Sequence, residues 1–302
     1  MKQQDGVLHL TAALKKYPHT QGLIEGAIAE PGLRLDCQVV EPIHRAFAPM
    51  ARSQAYDVSE MAIVTFLQAK AYGKPLVMLP SVLAARLQQG CIVYNRRRGP
   101  LGVIDLPGAR VGVRAYTQTT GMWVRAILDG TYGVASDKIE WITFEGGHLE
   151  EYRDPAFVTR APTGKEMLQM LLDGEIDAAI FGNDLPDHED IAPLIPDPAA
   201  ADQVWYGQHG FYPTNHVAVM RSDIAQADPE TARGVYRLLR RGKDATPDPV
   251  AARKRVPDGI EAMRGALEMI IRHCERQQLL PRKIGVDEVF ADSLALLGAE
   301  AR

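Results

Sequence analysis

"GVRAYTQTTGMWVRAIL" (residues 112–128) runs from an apolar strand through a tyrosine and three threonines into a helix with Trp123 and Arg125 in its early turns. A phosphate cradle would bring a glycine-rich loop with a Lys, or a dinucleotide fingerprint, and neither spacing is present. Hydroxyls and free backbone N–H groups at a helix amino end suit a smaller anion. Each charge-assisted hydrogen bond there is worth about 1.5–3 kcal/mol. Thr119 or Thr120 is expected to cap the helix, which the pattern carries to about residue 131. Tyr116 or Trp123 beside this carboxylate seat would meet an aromatic face, with core packing the competing role for Trp123.

Outward from this stretch the same strand–turn–helix rhythm repeats. "VLHLTA" (7–12) and "LRLDCQVV" (33–40) alternate as strands, and the helix that follows "EPI" has Ile43, Ala46, Phe47 and Met50 on one apolar face. "PLVMLP", "CIVYN", "KIEWITF" and "IDAAIF" are further strands, the last behind a helix expected to start at a Thr163/Glu166 capping box and stop at Gly174. "FAPMARSQAYDVSEMAIV" and "EMLQMLLDGEIDAAIFGN" echo one another. Each ends an amphipathic helix in a polar turn and sets an aspartate, Asp57 or Asp177, second in an otherwise mostly apolar strand. Strand–helix–strand alternation is the rhythm of a parallel sheet, and the echo suggests two α/β lobes built alike. After "FYPTNHVAVM" (211–220) the chain turns helical through 228–297, as expected of a tail that returns to the first lobe.

With 302 residues the chain has room for two domains, and its formal net charge of −4 provides no global positive field for nucleic acid. "NRRRG" (95–99) and "RKR" (253–255) are local and read as solvated surface. Cys37, Cys91 and Cys274 stand far apart without a CxxC pair, which points away from zinc and disulfides and towards a reducing compartment. His188 in "PDHED" has acidic neighbours but no matching ligand helix, so it reads as a solvated turn. No apolar run reaches membrane-spanning length, and the amino terminus lacks the features of a secretory signal, so a cytoplasmic location is expected. No HExxH, GxSxG or CxxC motif is present.

"YDVSEM", "DLPGARVGVRAYTQTTGMWVRAILDGTYGV", "GGHLEEYRDP", "MLLDGEIDAA", "YPTNHVAVMRSD" and "LLPRKIGVDEVF" together resemble the 4,5-dihydroxyphthalate decarboxylase family, in the family's order and over nearly the whole chain. The resemblance implies an α/β, two-lobe type II periplasmic-binding-protein-like fold. Each lobe would be a mixed sheet flanked by helices, with two crossing strands near 92–96 and 212–218 and a helical C-terminal tail. Lobe 1 is expected over 1–93 and 218–302, lobe 2 over 94–217. The chain departs from the family pattern at Pro18 and His19, where Asp and Arg are favoured, and at Gln88 and Gln89, where an Arg and a His are usual.

Ligands of open α/β sheets sit beyond the carboxyl ends of the strands. Ser59, Glu60, Met61, Tyr116, Thr119, Thr120, Asn183 and His216 are therefore expected to converge on one cleft, joined by His19, Arg86 and Arg153, the last as a bidentate fork for a carboxylate. Decarboxylating a hydroxylated aromatic acid needs a proton donor at the ipso carbon and an acceptor at the phenol. His216 and Glu60 are the candidates for these roles, with no cofactor and no metal. The expected partner is a small aromatic carboxylate, with no nucleic acid and no membrane, and with room for a homo-oligomer. The alternative is a non-catalytic solute-binding protein that clamps a small carboxylate for transport or sensing.

Overall fold

The computed structural model describes residues 2–4, 6–182 and 185–302. The first stretch of chain holds β1 (Lys2–Gln4), β2 (Val7–Ala13), α1 (Gln21–Ile24), β3 (Leu33–Cys37), α2 (Phe47–Ser53), β4 (Val58–Ala62), α3 (Ile63–Ala71) and β5 (Leu76–Ala85). The second holds β6 (Ile92–Asn95), β7 (Arg110–Val113), α4 (Thr119–Tyr132), β8 (Glu140–Thr143), β9 (Val158–Arg160), α5 (Met167–Asp173), β10 (Ala178–Ile180), β11 (Ile191–Pro193) and α6 (Pro198–His209). The chain returns through β12 (Thr214–Arg221) into α7 (Ser222–Ala227), α8 (Pro229–Asp244), α9 (Pro249–Arg255), α10 (Ile260–Arg276) and α11 (Val286–Leu297).

Two mixed sheets result. The first runs β1-β2-β4-β12-β5 with β3 paired to β2, and the second runs β11-β6-β10-β7-β8-β9. β6 lies wholly within the second ladder and β12 wholly within the first. The chain passes between the sheets twice, from β5 through residues 86–91 into β6 and from α6 through residues 210–213 into β12.

The sequence echo is a structural one. Asp57, just ahead of β4, accepts from the Thr11 amide of parallel β2 at 2.8 Å, while its own amide donates to the Thr11 carbonyl at 3.0 Å. Asp177, just ahead of β10, does the same with Arg110 of parallel β7, at 2.8 Å in both directions. In each sheet an aspartate extends the ladder by one side-chain bond where the strand begins, and so registers two parallel strands.

Two helix starts differ from expectation. α5 begins at Met167 with Glu166 as its N-cap and no side-chain cap, so the Thr163/Glu166 box is not formed; Gly174 ends it in the left-handed region at φ 75°. α4 is preceded by Gln118 rather than capped by a threonine, which puts Thr119 and Thr120 in its first turn. The tail ties the lobes together. Gln277, just past α10, donates from Nε2 to the Met122 carbonyl of α4 at 3.0 Å and accepts from Arg125 Nε at 2.8 Å.

Candidate active site

A cleft of about 830 Å³ opens between the two sheets at the carboxyl ends of β2, β4, β5, β7 and β10 and at the start of β12. Its centre is a carboxylate–imidazole pair. Glu60, in β4, is fully buried, and its Oε1 accepts from His216 Nδ1 at 2.6 Å and from the Tyr17 hydroxyl at 2.7 Å, while Oε2 accepts from the Lys15 amide at 3.0 Å. An ionised carboxylate only accepts, so Glu60 makes Nδ1 the proton-bearing nitrogen of His216. His216 Nε2 has no protein partner among the described residues. β4 and β12 pair antiparallel with His216 opposite Ala62, which carries the imidazole to the cleft wall while its carboxylate partner stays behind.

Tyr17 shares this corner. Burial, reinforced by the charge on Glu60, raises its pKa far above the ordinary phenol value, so it stays protonated as a donor. Its ring stacks on His19 at 5.1 Å with 5° between planes. His19 Nε2 donates to the Leu83 carbonyl at 3.0 Å, and burial, with Lys243 behind it, brings its pKa down to about 4. His19 is therefore a neutral wall residue at pH 7.

The opposite end is a cationic and hydroxyl-bearing seat. Arg86, just past β5, donates from Nη2 to Thr120 Oγ1 at 2.5 Å, joining the first lobe to the first turn of α4. Gln88 supports it from beneath: Oε1 is 3.5 Å from Arg86 Nε, and Nε2 donates to the Asn215 side chain at 2.9 Å. Thr119 lines the cleft and accepts from the Val64 amide at 3.4 Å. Arg114, one residue past β7, also lines the cleft; its buried Nε has no hydrogen-bond partner among the described residues, and Glu145 lies 3.8 Å from it. Gln118 Oε1 is likewise buried and without a partner among the described residues. Among the described residues Lys15, Arg86, Arg114 and Arg255 line the cleft against one acid, Asp248, a balance that favours an anionic ligand. Ile43, Phe47, Phe181, Ala251, Ala252 and Val256 supply apolar wall.

Several expected contacts lie elsewhere. Ser59 and Met61 are fully buried in β4, Ser59 donating to the Glu60 carbonyl at 2.7 Å, because alternation along the strand turns them from Glu60's side. Tyr116 is in the core under the guanidinium of Arg125, 4.0 Å from its ring centre, and Arg125 Nη2 holds the Tyr116 carbonyl at 2.6 Å. Trp123 is core too, its Nε1 donating to the Thr214 carbonyl at 2.8 Å. Arg153 is exposed and folds onto the carbonyls of Glu150 and Tyr152. Gln89 is buried against Tyr132 and Asp202. Asn183 lies outside the described residues. His188 receives the Asp190 amide at 3.2 Å within its own turn.

The loop 146–155 that carries Arg153 is a clasp between lobes. Arg52, from α2, donates to the His148 carbonyl at 2.6 Å and pairs with Glu150 at 3.3 Å, and Lys74 pairs with Glu151 at 2.5 Å. Thr65, from α3, meets His148 Nδ1 at 2.7 Å. The His148 ring stands on the cleft wall at 5.8 Å from Phe47, whose other neighbour is His216 at 5.0 Å, both edge to face. Arg114 was within reach of the strand-end rule, since it follows an apolar strand directly. Nothing local marks Ala251, Ala252 and Arg255 of the tail as cleft residues.

Among the described residues no group of three His, Cys, Asp or Glu side chains is arranged to hold a metal ion, and no helix is long and apolar enough to cross a membrane.

Two sheets with the cleft between them make this an α/β fold of the type II periplasmic-binding-protein kind. The alkanesulfonate-binding protein SsuA from Xanthomonas axonopodis pv. citri matches with a TM-score of 0.55 at 13% identity, covering 95% of this chain and 98% of that one. The CA3427 gene product of Candida albicans, described as having the generic periplasmic binding protein fold, matches with 0.54 at 12%, covering 98% and 97%. Identities this low speak to fold alone. No family model matches the chain. In sequence, the chain is a distant homologue of the 4,5-dihydroxyphthalate decarboxylases: 27% identical to that of Comamonas testosteroni over 237 residues, 74% of this chain and 71% of that one, and 28% identical to that of Pseudomonas putida over 212 residues, 66% and 81%.

Proposed function

We propose that this protein decarboxylates a small hydroxylated aromatic carboxylic acid of the 4,5-dihydroxyphthalate type. The observation that carries the proposal is His216, aimed at an anion-favouring cleft and held at Nδ1 by the buried carboxylate of Glu60. The homologues bear the name of this carboxy-lyase reaction. Arg86, with Thr120 and Thr119 at the amino end of α4, takes the carboxylate; Arg114 adds a second cation. The ring lies against Phe47. His216 donates a proton from Nε2 to the ring carbon that bears the leaving carboxylate, the C–C bond then breaks, and its electron pair restores the aromatic ring as CO₂ departs. Glu60 does not line the cleft, so its role is to orient and charge-balance His216 rather than to meet substrate.

A solute-binding function is the second reading, favoured by the Arg86–Thr120 bond that spans the lobes and needs no chemistry to hold a ligand. The deciding assay is incubation with 4,5-dihydroxyphthalate and a panel of hydroxybenzoic and phthalic acids, following CO₂ and ring product. Turnover that His216→Ala abolishes while ligand binding persists supports the decarboxylase. A ligand-dependent rise in melting temperature without turnover of any acid supports the binding protein.

A further inference from the structure

A donor at the ipso carbon is half of the chemistry, because the ring hydroxyl that feeds electron density to that carbon must release its proton. Glu60 cannot accept it from the cleft: it is fully buried and already takes three hydrogen bonds. Tyr17 is held protonated. His19 donates Nε2–H to the Leu83 carbonyl and stacks on Tyr17, so it stands on the same lobe as His216 and not opposite it. His148 is different. It arrives from the other lobe on the clasp, lines the cleft, has only Nδ1 engaged among the described residues, and stands edge-on to the same Phe47 ring as His216.

We propose that His148 is the proton acceptor for the ring hydroxyl of the substrate, working opposite His216 across a ring laid against Phe47. The inference rests on the decarboxylase reading and adds a second catalytic residue to it. In this role His148 donates Nδ1–H to Thr65 Oγ1 and keeps Nε2 as the accepting nitrogen. The groups that face it are Thr65 and Phe47 of the first lobe, Arg52 and His44 beside the clasp, Arg114 from β7 and His216 opposite. Burial, then the charges of Arg114, His44, Arg52 and His216, brings the His148 pKa down to about 4. A base that weak does not ionise a resting phenol, yet it stays unprotonated at pH 7. That suffices, because a hydroxyl conjugated to a protonated ring carbon is a strong acid.

The step balances. A C–H bond forms at the ipso carbon with the proton from His216 Nε2, using a ring electron pair, and the hydroxyl proton passes to His148 Nε2, leaving a ring ketone. The bond to the carboxylate breaks, its electron pair rearomatises the ring, CO₂ leaves, and His148 returns its proton to the ring oxygen. His216 is reprotonated from water. One proton is consumed and no redox partner is needed.

The test compares wild type with His148→Gln on 4,5-dihydroxyphthalate and on its 3,6-difluoro analogue at a pH where the analogue's phenol is ionised. On the parent acid the variant is expected to lose about 10²–10⁴-fold in kcat. On the pre-ionised analogue the wild-type-to-variant ratio should fall to near 1, since no hydroxyl proton remains to be accepted. Equal loss on both substrates, the mark of a merely structural role, overturns the assignment, as does no loss on either. Should His148→Gln not fold, Thr65→Val, which removes the partner of Nδ1, is put through the same pair of substrates and must show the same collapse of the ratio. Wild type that turns over neither acid overturns the decarboxylase reading and this inference with it, whereas wild-type turnover with an unchanged ratio overturns the inference alone.

Discussion

Replacing Glu60 with Gln keeps the shape of a buried side chain and removes its charge. Glu60 now accepts three hydrogen bonds, from His216 Nδ1, the Tyr17 hydroxyl and the Lys15 amide. Gln has one accepting oxygen. Its best orientation leaves that oxygen on His216 and Tyr17 and turns its NH₂ towards the Lys15 N–H, so one charge-assisted bond is lost, about 1.5–3 kcal/mol of stability. The catalytic loss is separate. A unit charge about 4 Å from a protonated imidazole is worth about 4 kcal/mol at an effective dielectric constant of about 20, so kcat should fall by about 10²–10³. Because Glu60 does not line the cleft, the dissociation constant of a non-reacting carboxylate such as phthalate should change by less than about threefold. Steady-state CO₂ release and calorimetric titration read the two quantities. If binding weakens as much as turnover, Glu60 touches ligand and its positioning role is refuted; unchanged kcat refutes the pairing itself.

Three further outcomes follow from single features. His19, His148 and His273 each have a pKa lowered by burial from 6.5 to about 4, so the unfolded chain takes up protons that the folded one refuses. Their stabilising contribution is complete above about pH 6.5 and is lost as pH falls towards 4, up to about 3 kcal/mol for each, and urea titrations across that window should show it; a flat profile would sink the account. Arg86→Lys keeps a charge but cannot hold Thr120 and a carboxylate with one planar fork, so phthalate affinity should drop about tenfold, and an unchanged affinity by calorimetry would place the seat elsewhere. Lys243→Met strands the largely buried Asp258, which the fully buried Lys243 Nζ meets at 2.5 Å, with Ser81 at 2.9 Å. A loss of about 3–5 kcal/mol is expected, visible as a melting temperature at least several degrees lower; wild-type stability would show that Asp258 finds solvent.

What periodicity and punctuation determined was the framework. The alternating strands, the apolar faces of the helices, Gly174 as a stop and the Asp57/Asp177 echo all follow from local backbone preference and a two- or 3.6-residue repeat, which the chain carries in its order. Glu60 and His216 were expected to converge, and the antiparallel pairing of β4 and β12 does bring them together, Glu60 from the middle of β4 and His216 from near the start of β12. Helix starts were less legible, since the Thr163/Glu166 spacing describes a cap only if the backbone turns there, and packing of Met170 and Leu171 lets α5 begin at Met167.

Tertiary structure alone decided which polar groups share a surface. Tyr116 carries a hydroxyl and an aromatic face in the most suggestive stretch of the chain, but Arg125, reaching from α4 to both the Tyr116 carbonyl and Gln277 of the tail, draws that ring into the core. Arg153 resembles a carboxylate fork, yet the clasp closes through Arg52 and Lys74, and the residue it brings to the cleft is His148. Glu60 looks like an acid for substrate until three donors are found around it. Each of these outcomes turns on partners 9 to 156 residues away in sequence, set by how sheets and tail pack, and a residue's own type and neighbours carry no record of them.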